Sequence, residues 1–312
     1  IEVFISLFKE DSIYMDTLAI KKVSKHYGNF TAVNSVSFDV PRGVIFGLLG
    51  PNGAGKTSLI RIINSITMAD EGEILFGGER LRREHQAQIG YLPEERGLYK
   101  KMKVQEQLEY LGQLKGLDAK TVRQRINTWY EILQMDGWGS KKVQDLSKGM
   151  QQKVQFVATV IHEPRLLILD EPFSGLDPVN TNILKTEIKR LSEEGTTILF
   201  STHRMEQVEE MCERIALINR GKLVLEGPID EIKQKYKDYL FHFKFDPAYA
   251  PDLSDEKVHS YTRGGGVILQ FESLQTANFQ MQQWLQNGYL IQDFREILPS
   301  VNDIFIKIVT TE

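Results

Sequence analysis

One glycine-rich loop constrains this chain more than any other stretch of it. Gly50-Pro51-Asn52-Gly53-Ala54-Gly55-Lys56-Thr57 fits G-x-x-x-x-G-K-[ST] at every position. The apolar run Val44 to Leu49 before it reads as a buried strand, and Leu59, Ile62, Ile63 and Ile66 after it recur at helical spacing. Strand, glycine loop and helix together give the pattern its mechanism. Glycines let the backbone close around phosphate oxygens with N–H groups turned inward. The helix N-terminus adds partial positive charge. Lys56 is expected to reach the β- and γ-phosphates of ATP, and the Thr57 hydroxyl to ligate Mg²⁺.

A second apolar run, Leu166-Leu167-Ile168-Leu169, ends in Asp170-Glu171. Ligands of open α/β sheets sit at the carboxyl ends of strands. Asp170 is therefore expected to hold Mg²⁺ through water, and Glu171 to polarise an attacking water as general base. A third feature, Leu146-Ser147-Lys148-Gly149-Met150, stands before a helix with Met150, Val154, Val157 and Ile161 on its apolar face. Ser147 is a natural N-cap, and a serine, a glycine and a helix N-terminus together make a second anion site.

The remaining pattern places these motifs in a fold. Leu18 to Val23 and Val33 to Val40 read as strands, and residues 73–92 return to strand. From about Met102 to Val160 the pattern is helical, with Leu108, Leu111, Leu114, Ile126, Tyr130 and Leu133 at i, i+3, i+4 or i+7. Asp177 and Pro178 open a helix as N-cap and first helical residue, and Thr196 to Phe200 is a further buried strand. Asn219-Arg220-Gly221-Lys222 joins two more strands as a hairpin. Alternating strand and helix with buried strands predicts an α/β fold with a mainly parallel sheet.

After Gly227-Pro228 the texture changes. Phe241, Phe243 and Phe245 alternate with His242 and Lys244, and Gly264-Gly265-Gly266 separates two short strand runs. Leu274, Asn278, Met281 and Leu285 predict an amphipathic helix, and Ser300 to Val309 a last short one. The expected organisation is residues 1–14 as a leader or extension, since Met15 looks like a natural start. Residues 15–228 follow as one α/β domain with a helical insertion at about 94–163, then 229–312 as a small α+β domain.

The 312 residues need no covalent staples for a core of this size, and the one cysteine, Cys212, reads as an inert thiol. The net charge of −4 lacks the basic excess of a nucleic-acid-binding face, so no nucleic acid is expected as partner. No apolar stretch approaches the ~20 residues that span a bilayer.

The three motifs, in this order, resemble the ABC ATPases over about residues 17–228. Leu146 to Met150 is similar to the family's signature sequence. Ser174-Gly175-Leu176-Asp177 resembles its D-loop, His203 its switch histidine, and Tyr27 the aromatic that stacks on adenine. The resemblance implies a P-loop ATPase that holds ATP through Tyr27, Gly50, Pro51, Asn52, Gly53, Ala54, Gly55, Lys56, Thr57 and Ser58. It implies catalysis by Glu171 and His203, and Mg²⁺ at Thr57, Asp170 and Glu94. It also implies a head-to-tail homodimer or heterodimer in which Ser147, Lys148, Gly149, Met150 and Asp177 of one subunit meet the other subunit's ATP. The resemblance further implies that such a pair powers a membrane-spanning permease chain and sits peripherally on the cytoplasmic side of the inner or plasma membrane.

This sequence departs from the family pattern twice. Glu94 stands after Tyr91-Leu92-Pro93 where the family usually has Gln, and Lys148 and Met150 replace Gly and Gln of the signature. Glu94 to Tyr99 and Pro299 to Phe305 further resemble the sodium-export-type subgroup, whose members carry a small C-terminal domain. The competing expectation is a soluble single-cassette ATPase, acting as an assembly or nucleic-acid-linked factor.

Overall fold

The computed structural model describes residues 16–95, 97–254, 256–262 and 264–311. The expected leader, residues 1–14, and Arg96 of the subgroup motif lie outside the described residues. The chain divides into two compact units between Gly227 and Pro228.

The first unit contains two sheets. β1 (Leu18–Tyr27), β2 (Phe30–Val40), β4 (Glu71–Phe76) and β5 (Glu79–Arg80) form an antiparallel sheet in the order β2-β1-β4-β5. The second sheet joins β3 (Ile45–Leu49), β6 (Ile89–Leu92), β7 (Leu166–Asp170), β8 (Thr197–Thr202), β9 (Arg214–Asn219) and β10 (Lys222–Pro228), in the order β10-β9-β3-β8-β7-β6. Its pairs β3/β8, β3/β9, β7/β8 and β6/β7 are all parallel. Every residue of β3, β7 and β8 is buried, which explains why these strands read as unbroken apolar runs rather than alternating ones.

Residues 73–92 are less uniformly strand than the sequence suggests. Arg83–Gln88 turns through a 3₁₀ helix, where the charged run offers no alternation to hold a sheet. The helical insertion forms as α2 (Val104–Leu114), α3 (Ala119–Ile132) and α4 (Lys148–Val160). Trp129 of α3 meets Phe156 of α4 edge-on, with ring centroids 5.7 Å apart. Asp118 starts α3 by accepting the N–H groups of Lys120 and Thr121. The loop helix is α1 (Lys56–Ile63), and α5 (Pro178–Glu193) and α6 (Met205–Met211) complete the unit. Asp177 caps α5 through the Asn180 N–H, as its sequence predicts. The hairpin between β9 and β10 turns on Arg220 and Gly221, both left-handed. Cys212 is buried near Gly47, and burial pushes its thiol well above the usual range, so it is inert.

The second unit has α7 (Ile229–Lys235), then β11 (Leu240–Phe245), β12 (Val258–Tyr261), β13 (Val267–Gln270), α8 (Leu274–Gln286), β14 (Ile291–Ile297) and α9 (Val301–Thr311). Its antiparallel sheet has the order β12-β13-β11-β14. Phe241, Phe243 and Phe245 form the core with Leu269 and Trp284, the Trp284 ring standing edge-on to Phe243 and Phe245. Two details differ from expectation. His242 is buried too, its Nδ1 2.9 Å from Asp293 Oδ2. The inner face of α8 is Ala277, Met281 and Trp284, while Leu274 and Leu285 are exposed. The large indole outweighs the two leucines in choosing which stripe faces the sheet.

Candidate nucleotide site

Parallel register sets this site. In β3/β8 pairing Leu49 lies opposite Thr202, and in β7/β8 pairing Asp170 lies opposite Ser201. In β6/β7 pairing Leu92 lies opposite Leu169. The segments leaving these four strands at their carboxyl ends are the glycine loop, Asp170-Glu171, Thr202-His203 and Pro93-Glu94. Four stretches far apart in sequence thus open into one cleft of about 250 Å³, which Asn52 through Ser58, Glu94, Asp170, Glu171 and His203 line together with Phe30 and Ala32.

The loop is shaped by contacts that only glycine permits. A Cβ on Gly50 would stand 2.1 Å from the Ile218 carbonyl oxygen, and one on Gly55 would stand 2.2 Å from that of Ala32. Both residues have positive φ, 147° and 111°. The first N–H groups of α1 have no acceptor within the helix and are available to phosphate oxygens. Lys56 is buried, its Nζ donating to the carbonyls of Gly50 at 2.6 Å and Pro51 at 3.1 Å. Burial pulls its pKa down, while Asp170, Glu171 and Glu94 push it back up.

The carboxylates differ in their support. Asp170 Oδ1 accepts the Ser201 hydroxyl at 2.8 Å. Burial nevertheless raises the Asp170 pKa, with Glu171 and Glu94 adding to the rise, against the opposing Ser201 hydrogen bond and Lys56. Glu171 has a left-handed backbone, φ 50°, uncommon for a residue with a side chain. Its Oε2 accepts the Thr202 hydroxyl at 3.1 Å. Its Oε1 accepts the His203 backbone N–H at 2.8 Å and lies 2.7 Å from His203 Nδ1.

The other predicted residues stand apart from this cleft lining. Tyr27 ends β1, 46% exposed, with the Lys25 ammonium 5.6 Å from its ring centroid. Its cross-strand partner Phe30, 61% exposed, lines the cleft in its place. Ser147 caps α4, accepting the Met150 N–H at 3.2 Å. A Cβ on Gly149 would lie 3.2 Å from the Gly175 carbonyl oxygen, so the signature and the D-loop segment pack together. Lys148 is exposed and Met150 half-buried at the start of the same helix.

Sequence reasoning missed two tethers on α4. Gln152 donates to the Pro172 carbonyl at 2.9 Å, next to Glu171, and Gln155 donates to the Pro93 carbonyl at 3.1 Å, next to Glu94. Both glutamines are buried. Their position inside an otherwise apolar face was the available signal, because buried amides need partners. Ser201 and Thr202, which hold the two carboxylates, were likewise legible only as polar residues closing an apolar strand.

Comparison with known proteins agrees with this geometry. The ABC transporter family model matches residues 33–174, and the model for the C-terminal domain of DrrA1-3-like ATP-binding proteins matches residues 227–309. An uncharacterised ABC transporter ATP-binding protein of Bacillus subtilis, YhaQ, is 42% identical over 93% of this chain and 97% of its own length. This chain belongs to the ABC transporter ATP-binding proteins. It is the ATP-binding subunit of such a transporter and an ATPase. The bacitracin transport ATP-binding protein BcrA of Enterococcus faecalis is 30% identical to this ABC subunit, over 93% of its length and 95% of BcrA. A solved structure described as the ATP-binding subunit of an ABC transporter superposes with a TM-score of 0.67 at 30% identity. It covers 70% of this ABC subunit and 93% of that chain. The competing reading of a soluble cassette is not favoured, because YhaQ and BcrA share both units with this chain.

Proposed function

We propose that the cleft binds Mg-ATP and hydrolyses it to ADP and phosphate as the power unit of an exporter whose membrane-spanning part is a separate permease chain. The single observation that supports this best is that Lys56, Asp170, Glu171 and His203 line one cleft with the glycine loop. Phosphates entering the loop compete with the Gly50 and Pro51 carbonyls for the Lys56 ammonium, and the α1 N–H groups take the remaining oxygens. Glu171 orients a water toward the γ-phosphorus and accepts its proton as the bond to the β-phosphate oxygen breaks. His203 fixes the Glu171 carboxylate at Oε1 and meets the γ-phosphate from the same side.

The donor set suits a hard divalent cation: Thr57, Asp170 and Glu94 offer only oxygen, and the carboxylates outnumber the Lys56 charge. Mg²⁺ bound there would neutralise charge on the β- and γ-phosphates. Glu94 retains an oxygen donor in place of the family's usual Gln.

Residues 15–228 act as the ATPase domain in this reading, with 94–163 as its helical part and 229–312 as a regulatory or dimer-supporting appendage. Two copies, or one copy and a sister chain, pair head to tail. Ser147, Lys148, Gly149 and Met150 then complete the partner's ATP site, with Asp177 beside them. One motif set per chain supports this, as does the packing of Gly149 on Gly175. The subunit lies peripherally on the cytoplasmic side of the membrane. No described helix is long and apolar enough to cross one.

Lys56→Ala tests the binding half directly. Calorimetric titration should show a sharp fall in ATP affinity, and a variant that binds ATP as tightly as wild type would overturn the assignment.

A further inference from the structure

The first unit carries a basic groove that the ATP chemistry does not use. One hollow, about 960 Å³, is lined by Met68, Glu73, Arg80, Arg82 and Arg83 among others. An adjoining one is lined by Lys21, Lys22, Glu73 and Arg80. The two share Gly72, Glu73 and Arg80, so they form one continuous surface. Lys21, Lys22, Arg80, Arg82 and Arg83 are all exposed, and Glu73 is the one carboxylate among the groove-lining residues. None of these five cations makes an ion pair among the described residues. A net charge of −4 makes such a concentration of basic side chains notable.

The backbone is bent to present it. The β1/β4 register shifts between Lys21 and Ser24, and Lys22 sits in the left-handed region at φ 48°. Gly72 makes room: a Cβ there would lie 2.3 Å from the Lys22 carbonyl oxygen. A bulge of this kind re-aims the side chains beside it. Met68, which lines the same hollow as Arg80, Arg82 and Arg83, is 83% exposed. Clustered cations next to projecting apolar side chains are what an interfacial surface needs, the cations for phosphate and the apolar tips for the acyl boundary.

We propose that this groove binds the anionic headgroups of phospholipids at the membrane where the transporter works. The inference rests on the transporter reading for its setting, and on charge complementarity for its ligand. Guanidinium forks at Arg80, Arg82 and Arg83 match phosphodiester oxygens bidentately. Lys21 and Lys22 extend the same field, and Met68 enters the headgroup layer.

Vesicle flotation of the full chain tests it, using phosphatidylcholine alone and phosphatidylcholine mixed with phosphatidylglycerol. The wild type should float with the anionic vesicles only and come off as salt rises. Each surface cation contributes about five-fold in affinity, so Arg82→Ser/Arg83→Ser should bind anionic vesicles roughly 25-fold more weakly. Lys21→Ser/Lys22→Ser should fall by a similar factor. ATP affinity should stay at the wild-type value in both, which shows that they are folded and keeps this test separate from that of the ATP site. Wild-type protein that ignores anionic vesicles, or double variants that float like wild type, would overturn the proposal. Soluble polyglutamate that displaces the protein from vesicles and binds the groove more tightly than they do would also overturn it, in favour of an acidic protein segment.

Discussion

Oε1 of Glu171 receives two contacts from one residue, the His203 backbone N–H at 2.8 Å and the His203 ring Nδ1 at 2.7 Å. The ring contact ties the Glu171 carboxylate to the end of β8. His203→Ala keeps the backbone bond and loses the ring. ATP hydrolysis is predicted to fall by roughly 10²-fold, the lower end of what a positioned acid–base group contributes. ATP binding should be unchanged. Steady-state turnover with a parallel binding titration checks both, and a wild-type rate would detach His203 from the chemistry.

The adenine platform proposed for this site lies at the β1/β2 turn, where Tyr27 and Phe30 are cross-strand partners. Stacking on adenine is worth on the order of 1 kcal/mol and needs only a ring. Tyr27→Phe should therefore be nearly silent and Tyr27→Ala should weaken ATP binding several-fold. Phe30→Ala should add a comparable loss, because Phe30 lines the cleft. Equal affinities for Tyr27→Phe and Tyr27→Ala would make Tyr27 ordinary surface packing.

Acid stability is predicted to depend on a histidine remote from this chemistry. His162 Nε2 faces the Ile89 carbonyl at 3.3 Å. Burial, with the Lys115 charge adding and Arg125 contributing less, lowers its pKa from 6.5 to about 4. As pH falls below 6.5 the unfolded chain takes up a proton that the folded chain refuses until about 4, so stability is lost across that window. At about pH 5 the loss is about 2 kcal/mol. Urea titrations near neutrality and near pH 5 should show this loss in wild type and little of it in His162→Gln. An equal loss in both proteins would place the acid sensitivity elsewhere.

Deletion of residues 229–312 tests the separation of roles. The core of the second unit is its own, built on Phe243, Leu269 and Trp284. The remaining chain is predicted to bind ATP with the wild-type Kd by calorimetry. A folded truncation that no longer binds nucleotide would assign the appendage a direct part in the site.

What the sequence discloses is largely what is local. The glycine loop, the Asp177 cap and the buried strands are each written in a few consecutive residues, and each stands in the structure where it was expected. What depends on register or on distant partners was less legible. That β8 lies between β3 and β7 depends on pairing with β3, far away in sequence; the meeting of His203 with Glu171 comes instead from β7/β8 pairing of consecutive strands, as expected of these two catalytic candidates. The Gln152 and Gln155 tethers need the positions of Pro172 and Pro93 before they mean anything. The α8 stripe was misread because helical spacing offers two apolar faces, and only the aromatic sheet beneath chooses Trp284. Phe30 and Tyr27 are both aromatic and close in sequence; the turn between their strands decides which one lines the cleft.

In the proposed mechanism this cleft hydrolyses ATP with Glu171 as base. Glu171→Gln keeps the side chain's size, and its one amide oxygen can still accept from the His203 N–H while its NH2 faces the Thr202 hydroxyl, but it loses the basicity. The measurement is single-turnover hydrolysis of ATP by this variant, with ATP affinity determined on the same preparation. Wild-type affinity is expected, with hydrolysis slowed by about 10²–10⁴-fold. An ATP-bound pair is expected on size-exclusion chromatography, held because the ATP between the two subunits is no longer cleaved. Hydrolysis at the wild-type rate would rule out Glu171 as the base.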